Sequence, residues 1–352
     1  MKKNWIAIRE FIFLMLFMIL LYSIQLNSLS SREKTETFTY QKEQLQNNYP
    51  ELASYTILDN HQQSFLIPNL SKTETLVNGT TNLVLANDMD PQGVVRAEDY
   101  LLISAYSRSH KYNSVLYVLD ALTGDYLKTV VLQGTPHVGG LAYDTKHKNI
   151  WVCTISDSQT AQVVAIRIET LKKDTFNKTK KAIVYDQTIN LGTLPEASFL
   201  TYHNESLYIG FFDSKHDGIL TRFGIQQDGR FDRDFSHKIR LKSEHQQSTP
   251  ESSYAIDKQI QGITFYKGHI LISRSYGHAD SKILIYNYQG ADIDLDTEAI
   301  KVLKAPAYLE QIYAYKDRLY LIFESGTVKY RKEKNITVID RVLQLNLNKL
   351  IP

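Results

Sequence analysis

"PHVGGLAYDTKHKNIWVCT", residues 136–154, is the stretch whose reading decides the fold. It opens on the pair Gly139 and Gly140, then runs as an apolar segment, a charged turn and a second apolar segment. A glycine pair between a strand and a helix would grip phosphate with its backbone amides. Here no helical period follows: "LAYD" and "NIWVCT" are short alternating runs on either side of the polar "TKHK". The stretch therefore reads as a hairpin, and its glycines are expected where strands crowd around a narrow axis.

The same plan recurs in "QGVVRAEDYLLIS" (92–104), "ASFLTYHNESLYIG" (197–210), "QGITFYKGHILIS" (261–273) and "EQIYAYKDRLYLIF" (310–323). Gly93 and Gly262 each stand 11 residues before the serine of a Leu-Ile-Ser, at Ser104 and Ser273. A second hairpin follows the first in several copies, as in "SVLYVLDALTGDYLKTVVL" (114–132), where Gly124 supplies the positive φ of a tight turn. Gly229 and Gly290 stand at matching places in later copies. The copies begin near 93, 140, 198, 262 and 311, at spacings of 47 to 64 residues. Such periods belong to four-stranded blades with loop insertions. The fold class expected is all-β, a β-propeller of five blades, with a sixth left open in residues 51–90 or 229–258. "TTNLVLAND" (80–88) is the expected outer strand closing the ring against the last blade.

Composition agrees and excludes several classes. The 23 Tyr and 14 Phe suit pleated surfaces. A net charge of +2 without clustering is not the footprint of a nucleic-acid surface, so no nucleic-acid partner is expected. Cys153 is the only cysteine, which excludes an intrachain disulfide, a CxxC pair and a Cys-rich zinc site. Its place in "IWVCT" predicts an inert core thiol. No GxSxG, HExxH, Walker or GxGxxG motif occurs.

At the N-terminus Lys2, Lys3 and Arg9 precede an uncharged run from Phe11 to Ile24. Positive residues stay on the cytoplasmic side, so the rest of the chain is expected outside. The run is short for a spanning helix, and a cleavable signal peptide competes with an uncleaved anchor. The expected division is a signal-anchor or transmembrane segment over 1–28, a polar stalk over 29–64 and a propeller domain over 65–352. A helix packed on the domain is the alternative for the second segment. The expected location is the cell membrane, single-pass with the propeller outside, or secreted if the segment is cleaved.

The units "PQGVV…YLLISAY…SVLYVLDALTG" and "PHVGGLAYD…KNIWV" resemble secreted bacterial β-propellers of the YVTN/NHL and SMP-30/strictosidine-synthase-like type, over about residues 80–345. The resemblance implies a repertoire of lactonases and phosphotriesterases with a central divalent metal, lyases, and non-catalytic binding proteins. The acidic and Asn ligands of the metal-dependent members have no residue-by-residue match here.

In a propeller, the loop entering each innermost strand and the loop leaving the second strand meet around the channel mouth, where ligand sites gather. Those positions are Gln92, His137, Glu196, Gln261 and Glu310, then Tyr106, Arg108, Asp157, Asp213, Arg274, Tyr276 and Glu324. The expected ligand-binding set is Gln92, Tyr106, His137, Glu196, Gln261, Arg274, Tyr276 and Glu310. No cofactor is required, although Glu196, Glu310 and His137 offer donors for calcium or magnesium, and Glu196 with Glu310 an acid/base pair. Alternatively, polar residues line the channel because it holds water. The function expected is a membrane-anchored extracytoplasmic binding or scaffold module for a protein, glycan or small molecule. The alternative is a metal-assisted, lactonase-like hydrolase or lyase.

Overall fold

The structure is a computed structural model, and it describes residues 12–22, 38–58, 65–156, 159–192, 194–231, 246–247, 252–290, 293, 295 and 298–351. Five antiparallel four-stranded sheets follow one another along the chain as the blades of a β-propeller. Blade one runs Met89–Ala97, Tyr100–Ser107, Val115–Asp120 and Tyr126–Val131 from the axis outward. Blade two runs Leu141–Asp144, Asn149–Ile155, Ala161–Arg167 and Gln187–Asn190, with Gln246–Gln247 added in parallel on its outer edge. Blade three is Phe199–His203, Ser206–Phe211, Gly218–Gly224 and Ser252–Ile256, and blade four is Ile260–Tyr266, His269–Arg274, Ser281–Asn287 and Lys301–Ala305. Blade five takes Leu309–Tyr315, Arg318–Phe323 and Arg341–Asn346 from the C-terminal part of the chain and Phe65–Leu66 from the N-terminal part.

The blades stand because their inner strands are apolar on both faces. Leu101, Ile103 and Ala105 join the core between blades five and one, while the intervening Leu102 joins the core between blades one and two. Alternation thus feeds two cores from one strand. Three further clusters fill the remaining gaps: Trp151 with Phe231 between blades two and three, Phe199 with Tyr286 between three and four, and Leu271 with Phe323 between four and five. Cys153 lies in the first of these, fully buried, and burial holds its thiol well above the ordinary range.

The glycines near the axis sit where neighbouring blades approach closely. A Cβ on Gly140 would stand 2.5 Å from the Leu200 nitrogen of the next blade, and one on Gly93 would stand 2.9 Å from Gln311 Oε1. The Leu-Ile-Ser repeat also acquires a meaning. Ser104 Oγ donates to Val138 O at 2.7 Å and Ser273 Oγ to Glu310 O at 2.8 Å, each pinning its blade to the next.

Two expectations change, and the five-blade count stands over its six-blade alternative. The strand that closes the ring is Phe65–Leu66, paired with Val342 and Arg341, rather than residues 80–88. Phe65 buries its ring against Tyr320, whereas Leu83–Ala86 pairs with Thr73–Leu76 in a separate hairpin and leaves Leu83 and Leu85 exposed. No sixth blade forms among the described residues, because residues 51–90 are used by a short helix, the closing strand and that hairpin. Within residues 29–64, the described part is helical over 38–48 and Pro50–Tyr55 and packs on the propeller instead of standing off as a stalk. Leu45 and Leu52 enter the core between blades four and five, and Gln41 Nε2 donates to Asp340 Oδ1 at 2.7 Å.

Residues 12–22 form a helix of exposed apolar side chains. Among the described residues no helix is long and apolar enough to cross a membrane. The rest of segment 1–28 lies outside the described residues.

Candidate functional site

At one end of the channel the five blades leave a funnel of about 1030 Å³. The innermost strands are irregular at its floor. Their pairing slips between Pro91 and Val94 in blade one, between Ile260 and Gly262 in blade four, and between Leu309 and Ile312 in blade five. A bulge leaves residues unpaired and re-aims their side chains. Gln92, Gln261 and Glu310 are residues placed in this way, and all three line the funnel.

Seven of the eight expected ligand-binding residues meet there: Gln92, Tyr106, His137, Glu196, Gln261, Tyr276 and Glu310. Arg274 does not. Strand alternation carries it to the face opposite the funnel-lining Ser275, where its Nη1 pairs with Asp257 Oδ2 at 3.1 Å. Of the wider set, Glu324 lines the funnel, Arg108 is bound to Asp90, and Asp213 accepts from the Lys215 and His216 amides in an exposed turn. Asp157 lies outside the described residues.

The floor is built on carboxylates. Asp90, fully buried, has its own counter-ion in Arg108, whose Nε donates to Asp90 Oδ2 at 2.7 Å and whose Nη2 meets Oδ1. Glu324, 8% exposed, accepts from Gln92 Nε2. Burial, and then the Asp90 charge, pushes Glu324 up to about 7. Glu310 is 6% exposed, and among the described residues no hydrogen bond or ion pair reaches its carboxylate. Burial first, then the charges of Glu324 and Asp90, drive it well above the usual carboxyl range. The electrostatically coupled acid pair is therefore Glu310 with Glu324. Glu196, expected in that role, stands exposed on the rim.

The walls are aromatic. The Tyr106 and His137 rings lie 4.2 Å apart, as do those of Tyr308 and Tyr330. Tyr308 Oη donates to Glu333 Oε2 at 2.9 Å, which fixes the second pair. Enclosure by the wall, and then the neighbouring His110, lower the His137 imidazole below its ordinary range. Its ring still opens to the cavity, so cavity water offsets part of that shift.

Among the described residues, no three His, Cys, Asp or Glu side chains gather closely enough to hold a metal ion. Glu196, Glu310 and His137 thus do not form the metal set expected of them. Glu196 is on the rim, Glu310 on the floor, and His137 is held against Tyr106.

Asp90, Tyr308 and Tyr330 were not legible as site residues. Tyr308 stands two positions before Glu310, the slot that Asp90 holds before Gln92, so the repeat carried a positional signal for both. Tyr330 sits in a short helical turn, Tyr330–Lys332, inserted between the second and third strands of blade five. No other copy has that insertion to compare with it.

No family model matches the chain, and no curated protein matches it. Solved structures do. Glutaminyl cyclase from Myxococcus xanthus is similar at 13% identity over 78% of this chain and 94% of that one, with a TM-score of 0.45. A Thermus thermophilus protein assigned as an oxidoreductase (glucose dehydrogenase) is 13% identical over 79% of this chain and 91% of its own, with a TM-score of 0.40. The WD40 repeats of RRP9 are 8% identical over 81% and 99%, with a TM-score of 0.41.

Proposed function

We propose that the chain is a membrane-anchored, extracytoplasmic β-propeller that binds a small polar ligand in the funnel at its channel mouth. The observation that carries the binding half is Glu310: a carboxylate 6% exposed, on the floor of a 1030 Å³ cavity, with no partner of its own among the described residues. A channel that is merely wet would solvate its acids, whereas burial of an unpaired carboxylate costs free energy that a ligand group can recover. The cavity has the size of a small-molecule site.

The location rests on the sequence. Lys2, Lys3 and Arg9 flank the apolar run 11–24, whose described part is an exposed apolar helix. The likeness of the repeat units to secreted bacterial propellers of the YVTN/NHL and SMP-30 type supports the same side of the membrane.

The test has two parts. In intact cells, the full chain is expected to resist alkaline extraction from membranes and to be cleaved by protease added outside. Recovery in the soluble fraction with full protection would sink the placement. In a small-molecule screen by thermal shift, ligands are expected to lose binding when Ala197 in the funnel wall is replaced by tryptophan. Ligands that ignore Ala197→Trp would move the site elsewhere.

One observation favours a second reading, a hydrolase or lyase working from the same floor. A carboxyl raised to about 7 is poised to give and take protons at neutral pH. Ester or lactone turnover abolished by Glu324→Gln would establish it, and turnover unchanged in that variant would remove it.

A further inference from the structure

We infer that the funnel selects a small molecule carrying a protonated amine, whose ammonium sits between the Glu310 and Glu324 carboxylates with the Tyr106 and Tyr330 rings as its walls. The inference rests on the reading of the funnel as a ligand site and names the class of ligand.

Charge is the first argument. Glu196, Glu310, Glu324 and Glu333 line the funnel against a single lysine, Lys329. The acids of the floor are unevenly served. Asp90 holds Arg108 through two contacts, Glu324 has a neutral amide donor in Gln92, and Glu310 has neither. Lys329 does not fill the gap: it is exposed at the rim, with its Nζ 4.5 Å from the centre of the Tyr330 ring and 3.2 Å from Tyr330 Oη. The floor acids outnumber the cations beside them where water reaches least, so they are left to hold protons or to take a cation, and an anion or a second carboxylate is disfavoured there.

The second argument is the shape of the donor set. A hard inorganic cation of the calcium type takes six to eight oxygens, or about that many with water. The floor offers the unpartnered Glu310 carboxyl and the Glu324 carboxyl, which already accepts from Gln92, and no three candidate metal-ligating side chains converge among the described residues. An ammonium asks for less: up to three acceptors and, beyond them, aromatic faces. The Tyr330 ring already holds two such contacts, with the Arg108 guanidinium 5.7 Å and the Lys329 ammonium 4.5 Å from its centre. Tyr106 and Tyr330 keep their hydroxyls protonated, because burial and then the neighbouring Glu324 raise both above their ordinary range. Both rings therefore present neutral π faces and add no charge. The ligand's remainder would lie upward between Tyr308, Phe212 and Tyr276, which suits an apolar or aromatic body.

Binding an ammonium here must also move protons. The groups that titrate or carry charge around the two carboxylates are Asp90 with Arg108, Tyr106, Lys329, Tyr330 and the pair itself. Of these, Glu310 and Glu324 hold protons that a bound cation would displace, so affinity should rise with pH through about 7 and protons should be released.

The experiment is isothermal titration of the full chain in detergent with benzylamine, benzyl alcohol, benzoate and calcium. It is run on the wild type and on Glu310→Gln, Tyr330→Leu and Ala197→Trp, in two buffers of different ionisation heat. Expected is benzylamine binding at a Kd of about 1 mM or tighter, with proton release, weakened about tenfold or more by Glu310→Gln and by Tyr330→Leu. Should either variant fold poorly, as its circular dichroism would show, the other variant and the proton release still decide. Benzyl alcohol, benzoate or calcium binding more tightly than benzylamine, and lost in Ala197→Trp, would overturn the amine and leave the funnel as the site. Benzylamine binding that Glu310→Gln and Tyr330→Leu leave unchanged, or no benzylamine binding at all, overturns the inference. Benzylamine that binds Ala197→Trp as well as wild type overturns the funnel reading with it.

Discussion

Glu310 and Gln311 are neighbours in the bulge of the fifth inner strand, and their side chains have opposite surroundings. The Gln311 amide is saturated. Its Oε1 accepts from the Val94 and Leu141 amides, both at 3.0 Å, and its Nε2 donates to Leu141 O at 2.6 Å and Leu200 O at 3.1 Å. One side chain thereby ties blade five to the inner strands of blades one, two and three. The Glu310 carboxylate, one residue earlier, is bonded to nothing among the described residues. The same local irregularity closes the axis and furnishes the floor above it.

Gln311→Ala should accordingly destabilise the propeller without touching the funnel's chemistry. It strips partners from buried backbone groups in three blades, and orphaned buried groups cost about 1–3 kcal/mol each. A loss of about 3 kcal/mol or more is expected by denaturant unfolding. A loss under about 1 kcal/mol would mean that water takes the amide's place.

Gly140→Ala should cost as much for a different reason. Its Cβ would meet backbone atoms, Leu200 N at 2.5 Å and Phe199 Cα at 2.8 Å, and backbone does not swing aside. Gly290 provides the comparison: its φ is +84° with open space around it, so Gly290→Ala should cost only about 1–2 kcal/mol of left-handed strain. Equal losses in the two variants would refute crowding at the axis as the reason for Gly140.

The blades were legible because their strands are written as short apolar runs and several of the turns between them carry a glycine. Gly124, Gly229 and Gly290 all adopt positive φ. The closing strand was not legible. Phe65–Leu66 is two residues long, and a period cannot be read from two residues. "TTNLVLAND" looked like a strand and is one in part, but a local pattern does not reveal which edge it pairs with. The site divides in the same way. Gln92, Gln261 and Glu310 followed from where propeller loops emerge, whereas the sharing of counter-ions was invisible. That Asp90 takes Arg108 and leaves Glu310 alone depends on distances between blades, which no spacing along the chain records.

Leu52→Ala tests the packing of the N-terminal helices. A solvated stalk would tolerate the change, but Leu52 is fully buried in the core between blades four and five. Removing such a side chain costs about 2–5 kcal/mol. The expected result is a cooperative unfolding transition shifted to lower denaturant. An unchanged midpoint would return residues 29–64 to the stalk reading.

The acid pair should also set a pH dependence of stability whose sign is fixed. Glu324, raised to about 7, and Glu310, also raised well above the usual carboxyl range, hold their protons more tightly in the folded protein than in the unfolded chain. Their contribution is therefore complete below about pH 4.5, the unfolded carboxyl value, and is lost as pH rises toward and through about 7. Glu310→Gln keeps the shape of the side chain and removes the titration, so the variant should be more stable than wild type at neutral pH and above. Replacing an unpaired buried charge by a neutral isostere is commonly neutral or stabilising. Melting temperatures from about pH 4.5 to pH 8 should diverge, with the wild type falling behind Glu310→Gln as the pair ionises. Parallel curves would mean that Glu310 titrates as an exposed acid, and a variant less stable at every pH would mean that its carboxylate has a partner after all. Benzylamine, if it binds as proposed, should close the gap at neutral pH for the wild type alone, because only there does it supply the missing charge.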